Sequence, residues 1–339
     1  MIRSLTLAGS LVAACAVVVG ACGNADGSTS AEGSEASLEE RVRARLDSLE
    51  ARTTIFARHL PSGREVGVRA DEPMNTLSAI KVAVLLRAYR DAEAGRLDLA
   101  ERYELRREDY RLGSGVFRYV DQGLRPTYGD LLYQMIVTSD NTATDIMIET
   151  VGRGRVNALM ARLGYEETRL LATTGERFRN VLEILDPAHD TLTHREVYEM
   201  GMPDGPEGRR IGFEFARDSV YWLGRSTARE LARFFEELYR GELASHSSTD
   251  AMFEILRHQL SSSRLPRNVR FRGASVAHKT GDWAPHAGID AGLIEYEGGP
   301  IAVAVFTNEN RGDFNRLEAT LGRIAEDLVE TWNSSEKSR

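Results

Sequence analysis

The stretch that determines the architecture is Ser78-Ala79-Ile80-Lys81, followed by the apolar run Val82-Ala83-Val84-Leu85-Leu86. The pattern continues to Gly95 and predicts a long helix that ends at that glycine. Ser78 then lies at the helix N-terminus, where free N–H groups and the helix dipole favour negative charge. Lys81 lies one turn further along the same face, so its amine can reach the serine hydroxyl. The two residues are a candidate nucleophile and base.

Lysine is rare in this chain. The sequence contains 43 Lys and Arg residues, of which only three are lysines: Lys81, Lys279 and Lys337. An arginine cannot act as a base near neutral pH because its pKa lies above about 12. A lysine can do so when burial and a neighbouring cation lower its pKa. Lys81 and Lys279 are therefore candidates for chemistry, whereas Lys337 lies in the terminal tail.

Residues 1–22 have the features of an export signal. A positive start precedes an apolar segment, residues 5–19, that is shorter than the roughly 20 residues of a membrane span. It ends Val19-Gly20-Ala21-Cys22, which resembles the lipobox of bacterial lipoproteins. We expect lipidation of Cys22 and an extracytoplasmic protein anchored to a bacterial membrane; ordinary secretion with an incidental Cys22 is the alternative. Cys15 is the only other cysteine, so the mature domain has no internal disulfide.

The remainder predicts a tether and one large domain. Residues 23–36 are small and polar and predict a flexible tether, and residues 37–333 are long enough for a catalytic domain. The net charge is −8 and no basic stripe is evident, which argues against nucleic acid as a partner. No cofactor or metal is predicted, since His189 and His194 fit no familiar ligand spacing. A monomer is expected.

The order of elements predicts an α/β (α+β) fold. Strand patterns occupy residues 53–60, 65–70, 275–280, 287–296 and 301–307, and helical patterns dominate between them. We therefore expect a five-stranded antiparallel sheet covered by helices, formed by residues 37–70 and 270–333, with an inserted all-helical lobe, residues 71–269. A site would lie between the two lobes. The Pro- and Gly-rich insertion at about 178–224 is expected to be a loop beside it.

Two further motifs could converge on that cleft: Ser139-Asp140-Asn141 between helical segments, and Lys279-Thr280-Gly281 late in a strand. Ser-x-x-Lys, Ser-Asp-Asn and Lys-Thr-Gly in this order resemble the motif set of class A β-lactamases and penicillin-binding proteins. The resemblance extends over about residues 37 to 333. It implies the β-lactamase fold and an acyl-enzyme chemistry.

The resemblance assigns a role to each residue of the motifs. Ser78 would attack a strained amide or ester carbonyl while Lys81 helps to remove its proton. Ser139 would pass a proton to the leaving nitrogen, and Lys279 would keep the region electropositive. Asn141 would hydrogen-bond a substrate amide.

The last motif would complete the substrate site. Thr280 and Gly281 would border the substrate carbonyl or carboxylate, and the backbone N–H groups of Ser78 and Asp282 would form the oxyanion hole. Family members usually have a small neutral residue at the position of Asp282, and a carboxylate that pointed inward would repel an anionic substrate. His286 is a further candidate for binding a substrate carboxylate.

The deacylating base is assigned by a weaker match. In class A enzymes, the glutamate of a Glu-x-x-Leu-Asn pattern activates the hydrolytic water, and this chain has Glu176-Arg177-Phe178-Arg179-Asn180. The pattern favours Glu176 as that base. A solvated surface glutamate is the alternative interpretation, and Glu183 is a second candidate.

Three functions follow from these residues. The leading hypothesis is a β-lactamase-like serine hydrolase that hydrolyses a small β-lactam through acyl-Ser78. The second is a D-alanyl-D-alanine-type peptidase, amidase or esterase that acts on a cell-wall-peptide-like substrate. The third is a binding protein of the same fold that acylates slowly or not at all. A β-lactamase requires a water-activating glutamate within reach of Ser78, and its absence would favour the peptidase, amidase or esterase. A binding protein would show a long insertion closing over Ser78.

Overall fold

The computed structural model describes residues 28–334, excepting the side chains of residues 28–36 and 334. The helices are α1 (Ser28–Asp47), α2 (Lys81–Glu93), α3 (Tyr128–Val137), α4 (Asn141–Val151), α5 (Arg153–Arg162), α6 (Thr174–Leu185), α7 (His194–Met200), α8 (Gly205–Arg217), α9 (Ala228–Tyr239), α10 (His246–Arg257), α11 (Pro266–Val269) and α12 (Phe314–Ser334). The strands are β1 (Arg52–His59), β2 (Glu65–Val68), β3 (Met74–Asn75), β4 (Arg169–Leu170), β5 (Gly224–Ser226), β6 (Ser275–Trp283), β7 (Ala287–Glu295) and β8 (Ile301–Asn308).

The main sheet confirms the predicted fold class. It has five antiparallel strands in the order β2-β1-β8-β7-β6, so both ends of the chain contribute to it. The central strand β8 is buried along its whole length, which explains its continuous apolar run. β6 forms the edge and continues to Trp283, three residues beyond the predicted end. The whole Lys-Thr-Gly motif and the residues after it therefore lie along one sheet edge.

Helices cover both faces of this sheet. α1 and α12 pack on one face, where Leu46 and Trp332 are fully buried. α9 packs on the other face through residues that include Phe235. α2 lies at the centre of the helical lobe and is buried on nearly all sides; its buried charges include Arg87 and Asp91, which form an ion pair at 2.6 Å.

The first helix corrects one predicted boundary. The sequence predicts a flexible tether at residues 23–36, but α1 begins at Ser28, so residues 28–36 of the predicted tether are helical. Extending a helix that tertiary packing already holds avoids the cost of nucleation, and Ala and Glu propagate helices well. The rest of the tether and the signal segment with Cys22 lie outside the described residues. Within residues 28–334, no helix is long and apolar enough to cross a membrane.

The insertion at about 178–224 is helical, which corrects the expectation of an elaborated loop. It contains the end of α6 together with α7 and α8. Pro206 lies in the first turn of α8, where a proline does not disrupt the helix. Ile211 and Phe215 of α8 are fully buried against Val181 of α6. The insertion is therefore a packed layer on the helical lobe.

Candidate active site

Ser78 lies in a tight turn between β3 and α2. The turn Leu77–Ile80 is a 3₁₀ helix, and the α-helix proper begins only at Lys81. Leu77 has a φ of 46°, which is strained for a branched side chain, and its N–H donates to Asn75 Oδ1 at 3.0 Å. A Cβ on Gly281 would lie 2.6 Å from Thr76 O and 3.1 Å from Ser78 N. The absence of a side chain at Gly281 therefore allows β6 to approach the Ser78 turn closely.

Lys81 is buried beneath the cavity that Ser78 lines. Its Nζ donates to Ser139 O at 2.7 Å, to Ser139 Oγ at 3.2 Å and to Asn141 Oδ1 at 3.0 Å. Burial and then the neighbouring Lys279 ammonium lower the pKa of Lys81 well below 10.5. The neutral amine is therefore more accessible than that of an ordinary lysine, as a base for Ser78 requires.

Ser139 is held between the two lysines. Its Oγ accepts from Lys279 Nζ at 3.0 Å as well as from Lys81. Lys279 also donates to Thr280 O at 2.8 Å, and burial lowers the pKa of Lys279 to about 7. Ser139 has a φ of 56°, a left-handed conformation that is uncommon for serine. A hydroxyl bonded to two amines in this way is placed to relay a proton.

The remainder of the second motif organises the wall of the cavity. Asp140 caps α4 through Ala143 N at 2.9 Å and also accepts from Val116 N at 2.6 Å. Asn141 receives Lys81 on Oδ1 and donates from Nδ2 to Leu112 O at 2.8 Å. Because an amide group has two N–H donors, one remains for a substrate amide. Asn141 therefore positions Lys81 in addition to its predicted role.

A cavity of about 960 Å³ opens between β6 and the helical lobe. Ser78, Ser139, Asn141, Thr280 and Asp282 all line it, so the structure brings the three motifs together. One wall comes from the insertion, with residues from 201 to 212. The insertion therefore borders the site, as the sequence predicts.

Asp282 is paired with an arginine that the motif analysis missed. Arg264 is buried and forms an ion pair with the Asp282 carboxylate, while its other contacts include Glu318 at 3.2 Å and Ile289 O at 2.8 Å. Asp282 is therefore neutralised beside the cavity. Arg264 stands outside any recognisable motif, before α11, and only the tertiary structure brings it to β6.

His286 also lines the cavity and has no described hydrogen-bond partner for its buried Nδ1. Burial lowers the pKa of His286, so the imidazole is neutral near pH 7. It can offer a hydrogen bond to a substrate carboxylate but no positive charge.

Glu176 does not line the cavity, which corrects its assignment as the deacylating base. Its carboxylate accepts from Thr173 N at 2.8 Å and from Arg153 Nη1 at 2.7 Å, forming the capping box of α6. The cavity is lined instead by Thr174, Arg177, Phe178 and Val181, which recur at i, i+3, i+4 and i+7. Glu176 lies off this face.

Glu183 is not in the cavity lining either, and it pairs with Arg179 at 3.7 Å. The matched Glu-x-x-x-Asn spacing therefore falls in a helix whose orientation places both candidate glutamates outside the site.

The described cavity has few carboxylates. Those among its lining residues are Asp204 and the paired Asp282. Asp145 lies close by, but its two oxygens already accept from Arg111 Nε at 2.7 Å, Gly175 N at 2.8 Å and Thr174 N at 2.7 Å. The residues for acylation are thus assembled, and the described lining contains no glutamate; of its two aspartates, Asp282 is paired with Arg264 and Asp204 is exposed at the start of α8.

Known proteins resemble this chain in sequence. A family model described as the β-lactamase enzyme family matches residues 37–332. The β-lactamase regulatory protein BlaB of Streptomyces cacaoi is 23% identical over 298 residues, which is 82% of this chain and 93% of that protein. A β-lactamase of Streptomyces fradiae is 30% identical over 203 residues, covering 58% of this chain and 63% of that protein.

Solved structures resemble it in fold. The β-lactamase from Sphaerobacter thermophilus aligns with a TM-score of 0.69 and 25% identity, over 89% of this chain and 97% of that one. PBP-A aligns with a TM-score of 0.69 and 20% identity, over 88% and 96%, a likeness of fold. The same family is indicated by the sheet, by the three converging motifs and by the match over residues 37–332. The chain belongs to the β-lactamase enzyme family and is a β-lactamase-like hydrolase.

Proposed function

We propose that the protein is a serine hydrolase that β-lactams acylate at Ser78 and that releases the acyl group slowly. Its physiological reaction is then cleavage of a cell-wall-peptide-like substrate, the second of the functions considered from the sequence. The observation that carries this choice is the Glu176 carboxylate, which is bound to Arg153 and Thr173 N outside the cavity.

Acylation uses the groups that meet at Ser139. Ser78 Oγ attacks the carbonyl carbon as the neutral Lys81 amine takes its proton. The oxyanion is stabilised by backbone N–H groups, assigned to Ser78 and Asp282. When the C–N bond breaks, Ser139 Oγ gives its proton to the leaving nitrogen and regains one from the Lys81 ammonium, 3.2 Å away. The step ends with acyl-Ser78, a neutral Lys81 amine and a protonated leaving nitrogen.

Deacylation needs a base for the incoming water. General bases contribute typically 10²–10⁴-fold, and carboxylates commonly supply this role. The described cavity lining contains no glutamate and its Asp282 is paired with Arg264, so we assign this role to the Lys81 amine, which bonds Ser139. Hydrolysis of the acyl-enzyme is therefore the slower half of the reaction. A variant of PBP-A, which shares this fold, has been solved as an acyl-enzyme complex with penicillin G.

Intact-protein mass measured after incubation with benzylpenicillin tests the proposal, alongside turnover of a chromogenic β-lactam. We expect an adduct of one penicillin on the Ser78 peptide and turnover much slower than adduct formation. Ser78→Ala should show neither. Cleavage of a D-alanyl-D-alanine peptide by the wild-type protein and not by Ser78→Ala would support the proposed physiological reaction. Rapid turnover of the β-lactam without an accumulated adduct would refute slow release of the acyl group.

We also propose that Cys22 is lipidated, which would hold the hydrolase outside the cytoplasm at a bacterial membrane as a monomer. The support is the Val19-Gly20-Ala21-Cys22 sequence after an apolar segment. Fractionation of cells that express the wild-type protein or Cys22→Ala tests this. The wild-type protein should stay with the membrane and the variant should not; equal distribution would refute lipidation.

A further inference from the structure

Arg177 is a buried cation in the wall of the active-site cavity. It ends the first turn of α6 with 6% of its surface exposed, and it lines the cavity together with Ser78. The guanidinium carbon lies 4.2 Å from the ring centroid of Phe215 and 4.6 Å from that of Trp283. Trp283 is fixed in turn, because its Nε1 donates to Gly212 O at 2.8 Å. Two rigid rings therefore hold the guanidinium in place.

Arg177 differs from the other buried arginines of the described chain. They are each paired with a carboxylate: Arg87 with Asp91, Arg111 with Asp145, and Arg264 with Asp282 and Glu318. Arg177 has no ion pair in residues 37–333, and its buried Nε and Nη2 atoms have no hydrogen-bond partner. Aromatic faces attract the charge but leave these N–H donors unsatisfied, and unsatisfied buried donors are costly. An anionic group in the cavity would satisfy both donors.

The charge persists where a ligand would meet it. Burial lowers the pKa of Arg177 to about 9, so the guanidinium stays protonated at neutral pH. Its positive charge also helps to lower the pKa of Lys81. The charge of Arg177 therefore affects the protonation of the reactive centre.

The course of β6 shows which part of a substrate Arg177 meets. Lys279 Nζ donates to both Ser139 Oγ and Thr280 O, which places this part of β6 on the side that receives the leaving nitrogen. Asp282 follows, with the N–H assigned to the oxyanion, and then Trp283, which packs on Arg177. Successive strand residues advance by about 3.3 Å, so Thr280 and Trp283 are separated by about 10 Å. Arg177 therefore lies on the acyl side of the reactive carbonyl.

We propose that Arg177 binds a carboxylate on the acyl portion of the substrate. The preferred substrates then have two anionic groups, one near Thr280 and one at Arg177, on opposite sides of the carbonyl that Ser78 attacks. The insertion contributes to this selectivity by supplying Phe215. The inference rests on the proposed acylation of Ser78 and adds the class of substrate.

Two penicillins test it, benzylpenicillin and α-carboxybenzylpenicillin, which differ by one carboxylate on the acyl side chain. Second-order rate constants for acylation are measured by intact mass for each compound. The wild-type protein should prefer the carboxylated compound by about tenfold or more, because charge-assisted hydrogen bonds in a buried site are strong. Arg177→Met, which keeps a linear side chain between the rings, should reduce the ratio to about one. Arg177→Lys should retain part of the preference.

Arg210→Gln is the matched control, because Arg210 is an exposed arginine of α8 that is not among the residues lining the cavity. Its ratio should stay within about twofold of the wild-type ratio. Equal acylation of wild-type protein by both compounds would overturn the inference, as would a preference that survives in Arg177→Met. The wild-type comparison requires no variant to fold. If neither compound acylates the wild-type protein, both the proposed function and this inference are wrong. If benzylpenicillin acylates the protein and the carboxylated compound reacts no faster, only the inference is wrong.

Discussion

Replacing Glu176 by glutamine should leave deacylation of Ser78 unchanged within about twofold. The structure places this carboxylate 2.7 Å from Arg153 Nη1 and 2.8 Å from Thr173 N, at the start of α6 and outside the cavity lining. A glutamine can keep the capping-box contact with Thr173 N. It loses only the ion pair with Arg153, whose side chain is 41% exposed, and such pairs are worth about 1 kcal/mol or less.

The size of the expected effect separates this account from its alternative. If Glu176 were the base, removing its charge would slow deacylation by about 10²–10⁴-fold. The structure instead predicts a small loss of stability, seen as a decrease in melting temperature of about 2–4 °C or less. Glu176→Ala removes the capping contact as well and should lose about 1 kcal/mol more, again with unchanged deacylation.

The assay isolates the deacylation step. Acyl-enzyme is formed with excess benzylpenicillin, the free compound is removed by desalting, and the loss of adduct mass is followed with time in the wild-type protein and both variants. Thermal unfolding of the same samples reports the stability change. A hundredfold slower loss of the adduct in Glu176→Gln would refute the assignment of Glu176 as a capping residue alone.

Further predictions concern the charged groups around Ser78. Because burial lowers the pKa of Lys81, the acylation rate should increase with pH and level off well below pH 10.5, and Lys81→Arg, which stays protonated, should slow acylation by about 10²-fold or more. The native pKa of Lys279 is about 7, so between pH 7 and pH 10.5 the unfolded chain binds more protons than the native chain. The free energy of unfolding of the wild-type protein, measured by urea unfolding, should therefore increase with pH across that range relative to that of Lys279→Met. A difference that does not change with pH would contradict the burial of this charge. Arg264→Met should leave the Asp282 carboxylate unpaired and weaken acylation by benzylpenicillin, and adding Asp282→Ala should restore it; a double variant as slow as the single one would contradict this role of the pair.

The sheet and the acylation residues are the parts that sequence alone predicts well. The central strand β8 begins with a continuous apolar run, and the predicted order of elements admits one simple antiparallel packing. Ser78, Lys81, Ser139 and Lys279 are found because each lies in a short motif whose chemistry requires those residue types. Local sequence determines both features, so they need no knowledge of long-range contacts.

The residues that sequence alone mispredicts or misses depend on orientation and tertiary contact. Glu176 has the expected spacing, but the cap at Thr173 sets the rotation of α6, and that rotation turns Arg177 toward the cavity and Glu176 away from it. Arg264 comes to β6 from a loop before α11, with no motif to mark it. The helices of the insertion were obscured because Pro206 and several glycines suggest a loop, although the proline lies at a tolerated position.

The most direct test of the central claim is a single time course of intact mass on wild-type protein and Ser78→Ala mixed with a modest excess of benzylpenicillin. The account predicts that acyl-Ser78 accumulates to nearly the full amount of wild-type protein and decays slowly, with no adduct on Ser78→Ala. Rapid hydrolysis of the whole excess without an accumulated adduct would contradict it, because the described cavity lining contains no glutamate to activate the hydrolytic water.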